Sequence, residues 1–70
     1  MNILHLIKVQ RDQLSKAEAK VADEILAAPE EAMNMATAEL ASRAGVSDPM
    51  VSRFCRSVSC NSFPELKVQL

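Results

Sequence analysis

Residues Thr37–Val58 read TAELASRAGVSDPMVSRFCRSV, and the spacing within them decides the fold. Ala41 stands four residues before Gly45, Val51 six residues after it, and Phe54 three further on. Two helices that cross steeply over a turn of roughly three to four residues need a small side chain where their backbones approach, and Ala41 supplies it. The turn needs a residue tolerant of positive φ, and Gly45 is the only glycine in the chain. Val51 and Phe54 are spaced to lay the apolar stripe of the second helix on the first. The pattern predicts a helix over residues 38–43 capped by Thr37, a sharp turn with Val46 packed beneath it, and a second helix over residues 48–58.

At about 100° per residue from Asp48, two halves of the second helix separate. Met50, Val51, Phe54, Cys55 and Val58 fall on one, and Asp48, Pro49, Ser52, Arg53, Arg56 and Ser57 on the other. The apolar half is expected to seat on the domain and the polar half to face outward. The outer face carries arginines at i and i+3 with small hydroxyls beside them. Arginine pairs in bidentate fashion with guanine in the major groove, and serine contacts bases or phosphates. Ser47 stands where an N-cap is wanted, and Pro49 falls in the first turn, where its missing N–H costs nothing. The free N–H groups of that turn favour a phosphate. A polar outer face is also what any amphipathic surface helix shows. The coincidence of the alanine, glycine and apolar spacings favours a DNA-reading helix-turn-helix.

Composition sets the frame. Seventy residues make one domain, and a chain this short buries only about 60% of its unfolded surface. Phe54 and Phe63 are the only aromatic residues, so the core must be aliphatic. One glycine and the absence of an alternating β-branched run favour an all-α fold, a small bundle of five to six short helices. The net charge of −1 is low for a nucleic-acid binder. It is unevenly spread: residues 1–36 carry four basic and six acidic side chains, residues 37–70 four basic and three acidic. The polarity is right but weak, which points to dimerisation or a further segment for added affinity. Cys55 lies on the apolar half of its helix and reads as a small core residue; with Cys60 alone beside it there is no zinc site and no redox motif. No signal peptide and no long apolar run are present, which predicts a cytoplasmic protein with reduced thiols and no membrane partner.

The flanks read as further helices. Residues 2–13 place Ile3, Leu6, Ile7, Gln10 and Leu14 near one face, and His5, the only histidine, has no ligand-spaced neighbours. Ser15 and Glu18 form a capping box for a helix that Pro29 ends near residues 27–28. Along it Ala17, Val21 and Ile25 make one row and Ala22 and Leu26 the next, while Lys20 is placed to pair with Asp23 or Glu24. Pro29 followed by Glu30 and Glu31 suits the first turn of a short third helix. Adjacent carboxylates on a helix do not face each other, so they are not a catalytic dyad. Met33 and Met35 read as core packers. After the polar turn at residues 59–62, Ser62 and Glu65 form a second capping box with Pro64 in the first turn, opening a helix over residues 63–70 with Phe63, Leu66 and Leu70 on one stripe. The pattern is still running at Leu70, as in the front part of a longer protein.

The run VSDPMVSRFCRSVSCNSFPELKVQL, residues 46–70, resembles the N-terminal domain of RpiR-type bacterial transcription regulators, and is most similar to their HexR-like branch, which controls sugar catabolism. The upstream LSKAEAKVADEILAAPEEA, residues 14–32, is similar to the helix before the helix-turn-helix in the same family. The resemblance implies an all-helical helix-turn-helix without a wing, and the polar face bearing Arg53 and Arg56 points to sequence-specific binding of double-stranded DNA by a homodimer. It also implies a C-terminal phosphosugar-binding domain, absent from these residues, through which alone an effector would act. By position it places Ser47, Asp48, Pro49, Ser52, Arg53 and Arg56 where the family presents DNA-facing side chains, and Thr37, the expected cap of the preceding helix, completes the candidate set. Met50 stands where the family usually has threonine, and Ser59 and Ser62 where it usually has glycine. Positive φ at those serines would strain them.

Two other functions compete. A small helical domain of this kind can serve as a protein-interaction module, for which the weak positive charge is the main argument. An enzyme has no support, because the sequence offers no nucleophile–base pair, no phosphate-cradling glycine loop, no metal cluster and no cofactor motif.

Overall fold

In the computed structural model, which describes residues 2–70, six α-helices follow one another, with no strand among the described residues. They are α1 (Ile3–Gln10), α2 (Lys16–Ala27), α3 (Pro29–Met33), α4 (Thr37–Ala44), α5 (Asp48–Ser57) and α6 (Phe63–Val68), with a 3-10 turn, Arg11–Gln13, after α1. The expected all-α bundle is observed. Two boundaries differ from the sequence pattern by two residues or more. The first helix gives way to 3-10 geometry after Gln10, and this tighter turn delivers Leu14 in an extended conformation to the next cap. α6 ends at Val68 rather than Leu70.

The helix at the centre is α2, which packs on α1, α3, α4 and α5. Its Val21, Ala22 and Ile25 have no exposed surface. Around them close Ile3 and Ile7 of α1, Leu40 and Ala41 of α4, Val51, Phe54 and Cys55 of α5, and Phe63 and Leu66 of α6. Fully burying one such large side chain contributes about 1.5–3 kcal/mol. Val46 is half-buried against this core, as its place beneath the turn requires. Met35 is buried, but Met33 is 44% exposed, so only one of the two methionines packs as expected. α3 is five residues long and seats Ala32 on the core, which turns its neighbour Met33 away.

Both predicted capping boxes form on their serine side only. Ser15 accepts from the Glu18 N–H at 3.2 Å, and Ser62 from the Glu65 N–H at 3.4 Å. The Glu65 carboxylate accepts from the Asn61 N–H instead of returning to Ser62. Thr37 is not a cap. Ala36 takes the extended N-cap conformation and its carbonyl accepts from the Leu40 N–H, so Thr37 is already the first helical residue and half-buried.

α4 and α5 end in the same way. Gly45 has φ 73°, Val46 N–H donates to the Ala41 carbonyl at 2.9 Å, and Gly45 N–H donates to Ser42 at 3.2 Å. One helix later Ser59 has φ 68°, Cys60 N–H donates to Cys55 at 2.9 Å, and Ser59 N–H to Arg56 at 3.1 Å. Both are Schellman endings, which need a left-handed residue and bring the third-from-last position against the residue beyond the turn. Cys55 and Cys60 occupy those two positions, and both are buried free thiols. Ser59 thus takes the positive φ anticipated there. Ser62 does not: at φ −157° it is extended and unstrained, free to act as a cap.

Surface ion pairs fasten the periphery. Arg11 grips Asp23 through two nitrogens at 2.7 and 2.8 Å, tying the 3-10 turn to α2. Lys20 therefore does not take Asp23 and is in no ion pair among the described residues. Arg43 reaches Glu31 and Glu39 at 3.3 and 3.4 Å. Lys67 donates to the Met35 carbonyl at 2.8 Å while lying 5.2 Å from the Phe63 ring centroid, and so joins α6 to the loop before α4.

Candidate nucleic-acid interface

The apolar half of α5 seats where its pattern directs it. Val51, Phe54 and Cys55 are fully buried, Val58 just beyond the helix is 1% exposed, and Met50 is half-buried at the seam. The opposite side faces outward. Ser47, Asp48, Pro49, Arg53 and Arg56 are exposed, and Ser52 is half-buried. Ser47, Asp48 and Pro49 gather at the start of α5, and Arg53 and Arg56 follow one and two turns later along the same face. Thr37 stands apart, at the start of α4, and no hydrogen bond joins it to α5 among the described residues.

The chemistry of that face is open to a partner. Ser47 holds the N-cap position with its backbone extended, yet its hydroxyl makes no capping hydrogen bond. It remains available together with the positive end of the helix dipole. Asp48 sits on the same end, where it opposes an incoming phosphate. Neither Arg53 nor Arg56 is in an ion pair among the described residues; the arginines so engaged are Arg11 and Arg43. Two unpaired guanidinium groups on a helix that is apolar behind and polar in front suit anionic or hydrogen-bonding partners.

One polar residue of α5 departs from the helical wheel. Ser57 donates its hydroxyl to the Glu18 carboxylate of α2 at 2.5 Å. Glu18 is the only buried charged residue among those described, at 8% exposure. Its second oxygen accepts from the Ser15 hydroxyl at 2.8 Å, so it closes no box to the Ser15 backbone. The hydrogen bond from Ser57 is the largest influence on its ionisation and lowers its pKa. Burial acts in the opposite sense, and Ser15 and the positive charge of Arg53 lower it further. The sequence held a signal for this contact. Ser57 falls roughly 20° from Met50 on the wheel, at the edge of the apolar half. Glu18 was legible only as a cap.

Elsewhere, no group of three or more potential metal ligands comes together among the described residues, and His5 is exposed. Among the described residues no helix is long and apolar enough to cross a membrane.

Two helices joined through the left-handed Gly45 on a helical scaffold, with the second presenting arginines outward, define a helix-turn-helix domain. The chain belongs to the rpiR family of helix-turn-helix domains, and the match runs over residues 1–70. It is 49% identical over 69 residues to the HTH-type transcriptional regulator HexR of Pseudomonas aeruginosa, covering 99% of this chain and 24% of that protein. To HexR of Escherichia coli it is 47% identical over 70 residues, covering all of this chain and again 24% of the relative. The chain therefore spans about a quarter of the length of these regulators. It is also 38% identical over 68 residues to the bifunctional protein glk of Paraburkholderia xenovorans, where the match covers 11% of that longer protein. Among solved structures, the N-terminal domain of ybbH from Bacillus subtilis superposes with a TM-score of 0.92 at 34% identity, covering 96% of this chain and 82% of that one.

Proposed function

We propose that this chain is the N-terminal, sequence-reading domain of a bacterial regulator of carbohydrate catabolism, with α5 lying in the major groove of double-stranded DNA. The observation that carries this reading is the outward pair Arg53 and Arg56, in no ion pair among the described residues, on a helix whose other side is buried through Val51, Phe54 and Cys55. Ser47, Asp48, Pro49 and Ser52 complete the reading face, with Thr37 a peripheral contact. The domain acts as a homodimer, each copy of α5 entering one half-site, about 34–36 Å apart or at multiples of that spacing. The HexR relatives, transcriptional regulators by name, support the regulatory part of this reading; the carbohydrate assignment rests on the sequence resemblance to the HexR-like branch, and with it goes a cytoplasmic location. A phosphosugar effector would act through a further C-terminal domain. The chain is a binding domain in this reading and not an enzyme, with no cofactor.

The test is fluorescence anisotropy with a duplex enriched by the chain from a randomised library, against a scrambled duplex of equal composition. Binding should prefer the enriched duplex and weaken steeply between about 50 and 200 mM salt. A salt-insensitive association without sequence preference would instead mark a protein-interaction module.

A further inference from the structure

Glu18 is a buried carboxylate with no cation bonded to it among the described residues, in a domain whose proposed partner is a polyanion. Stability alone is a poor reason for such a group. A buried charge gives up strong hydration, and an apolar side chain at this position of α2 would seat on the core without that loss. What the carboxylate adds is direction. One oxygen is anchored by Ser15, at the start of its own helix, and the other is held by Ser57, 39 residues along the chain on the last turn of α5.

The rest of the α2–α5 contact is apolar, and apolar contact is non-directional. A short O–H···O⁻ hydrogen bond is strong and angle-dependent. Ser57 also lies one helical turn from Arg53, its hydroxyl 3.2 Å from the Arg53 carbonyl. Whatever fixes Ser57 therefore fixes the turn that carries Arg53 and Arg56. Recognition groups need to be held within about 0.5 Å and 10–20° of the productive geometry.

We propose that Glu18 is a positioning residue for sequence readout: through Ser57 it sets the rotation of α5 about its own axis, so that Arg53 and Arg56 meet base edges in register. This rests on α5 being the recognition helix. Phosphate contacts made by flexible side chains tolerate a small rotation of the helix, whereas base-edge contacts do not. Glu18 accordingly contributes to discrimination between sequences and not to general attraction for DNA.

The experiment compares Glu18→Gln, Ser57→Ala and Ser57→Thr in this chain on the enriched and scrambled duplexes. Glu18→Gln and Ser57→Ala should each lower the ratio of the two affinities about tenfold, equivalent to ~1.4 kcal/mol. Affinity for the scrambled duplex should stay level, or rise slightly for Glu18→Gln, which removes a negative charge. Ser57→Thr keeps the hydroxyl and should keep the ratio. The double variant Glu18→Gln/Ser57→Ala should lose no more than Ser57→Ala alone, because both act on the same bond, which Glu18→Gln reduces to a neutral one with the amide oxygen and Ser57→Ala removes. An unchanged ratio in folded Glu18→Gln and Ser57→Ala overturns the proposal, and so does an equal loss on both duplexes that merely follows a lowered Tm. Ser57 is exposed, so Ser57→Ala carries the test if Glu18→Gln does not fold. Arg53→Ala separates the two claims. If it too leaves the ratio unchanged, the assignment of α5 fails; if it collapses the ratio while Glu18→Gln does not, only the positioning role fails.

Discussion

The Glu18 carboxylate on α2 accepts the Ser57 hydroxyl of α5 at 2.5 Å, a charge-assisted bond and the one side-chain hydrogen bond between these two helices among the described residues. The remainder of the seam between them is aliphatic and aromatic contact.

Acid stability follows from the direction of the Glu18 shift. Its pKa is lowered in the folded chain, first by Ser57, so the unfolded chain binds this proton more readily. The stabilisation is fully present above the unfolded carboxylate range, near pH 4.3–4.5 in order of magnitude, and is lost as pH falls through the folded value. Asp23 shifts the same way beside Arg11, but that pair is exposed and well screened. Urea midpoints should be level from about pH 7 to 5 and fall below about pH 4. In Glu18→Gln the neutral-pH midpoint should be lower and the acid decline shallower. An identical acid decline in that variant would place the responsible carboxylate elsewhere.

Recognition should divide between the two arginines. Arg56 lies at the middle of the outward half of α5, and Arg53 on the flank nearer α2, where Glu18 feels its charge. Each arginine that pairs bidentately with guanine should cost about 1–3 kcal/mol on the enriched duplex when changed to alanine, with a much smaller loss on scrambled DNA. An arginine that contacts only phosphate should cost the same on both and reduce the salt slope by about one. Anisotropy titrations at several salt concentrations distinguish the cases. Asp48→Asn, which removes the negative charge at the helix start, should tighten binding to both duplexes.

The helix-turn-helix was legible because its constraints are local: Ala41 at the crossing, Gly45 in the left-handed turn, and the Val51–Phe54 stripe all depend on neighbours within two turns. The outward placement of Arg53 and Arg56 followed from the same periodicity. What the residues hid was non-local or shared. Glu18 announced a cap, but a carboxylate has two oxygens, and nothing in sequence says where the second goes. Lys20 and Arg11 compete for Asp23 across a 3-10 turn that periodicity did not reveal. Thr37 looked like a cap because threonine often is one, yet Ala36 already supplied the extended backbone that opens α4. Met33 and Met35 are chemically alike, and the length of α3 alone decides which is buried.

Ser59 is the place where the backbone should yield stability most readily. It holds φ 68° on an exposed turn, a conformation that a side chain disfavours and glycine does not. Ser59→Gly should stabilise by about 0.5–1 kcal/mol, raising Tm by roughly 2–8 °C in a domain this small. Gly45 is the converse. No atom lies within 4 Å of where its Cβ would stand, so Gly45→Ala meets no clash and only the torsional penalty at φ 73°, about 1–2 kcal/mol. Thermal unfolding followed by circular dichroism reads both. A Tm for Gly45→Ala equal to wild type would show that the turn relaxes out of the left-handed region.

The two thiols give a probe of how α5 comes apart. Burial pushes the Cys55 thiol up to about 12, with smaller effects from Cys60 and Arg56, and burial also raises the Cys60 thiol. At pH 8 a thiol of that pKa carries roughly three orders of magnitude less thiolate than a free cysteine, and thiolate is the form that alkylates. Cys55 is also sealed by the core it shares with Phe54. Iodoacetamide should therefore leave Cys55 unmodified in the native chain and modify both thiols in urea, as mass spectrometry of the digested product would report. Because Cys55 sits beside Val51 and Phe54, its exposure requires α5 to leave the bundle, so its labelling rate should track global unfolding. Cys60, one turn beyond the helix, needs only the Schellman ending to open and should label first. Phe54→Ala, with an expected cost of about 3–5 kcal/mol, should bring the Cys55 rate up toward that of the unfolded chain. Cys55 labelling ahead of Cys60 in the wild-type chain would mean that α5 detaches before its own last turn frays, and that the apolar seam rather than the helix end is the weak point of the fold.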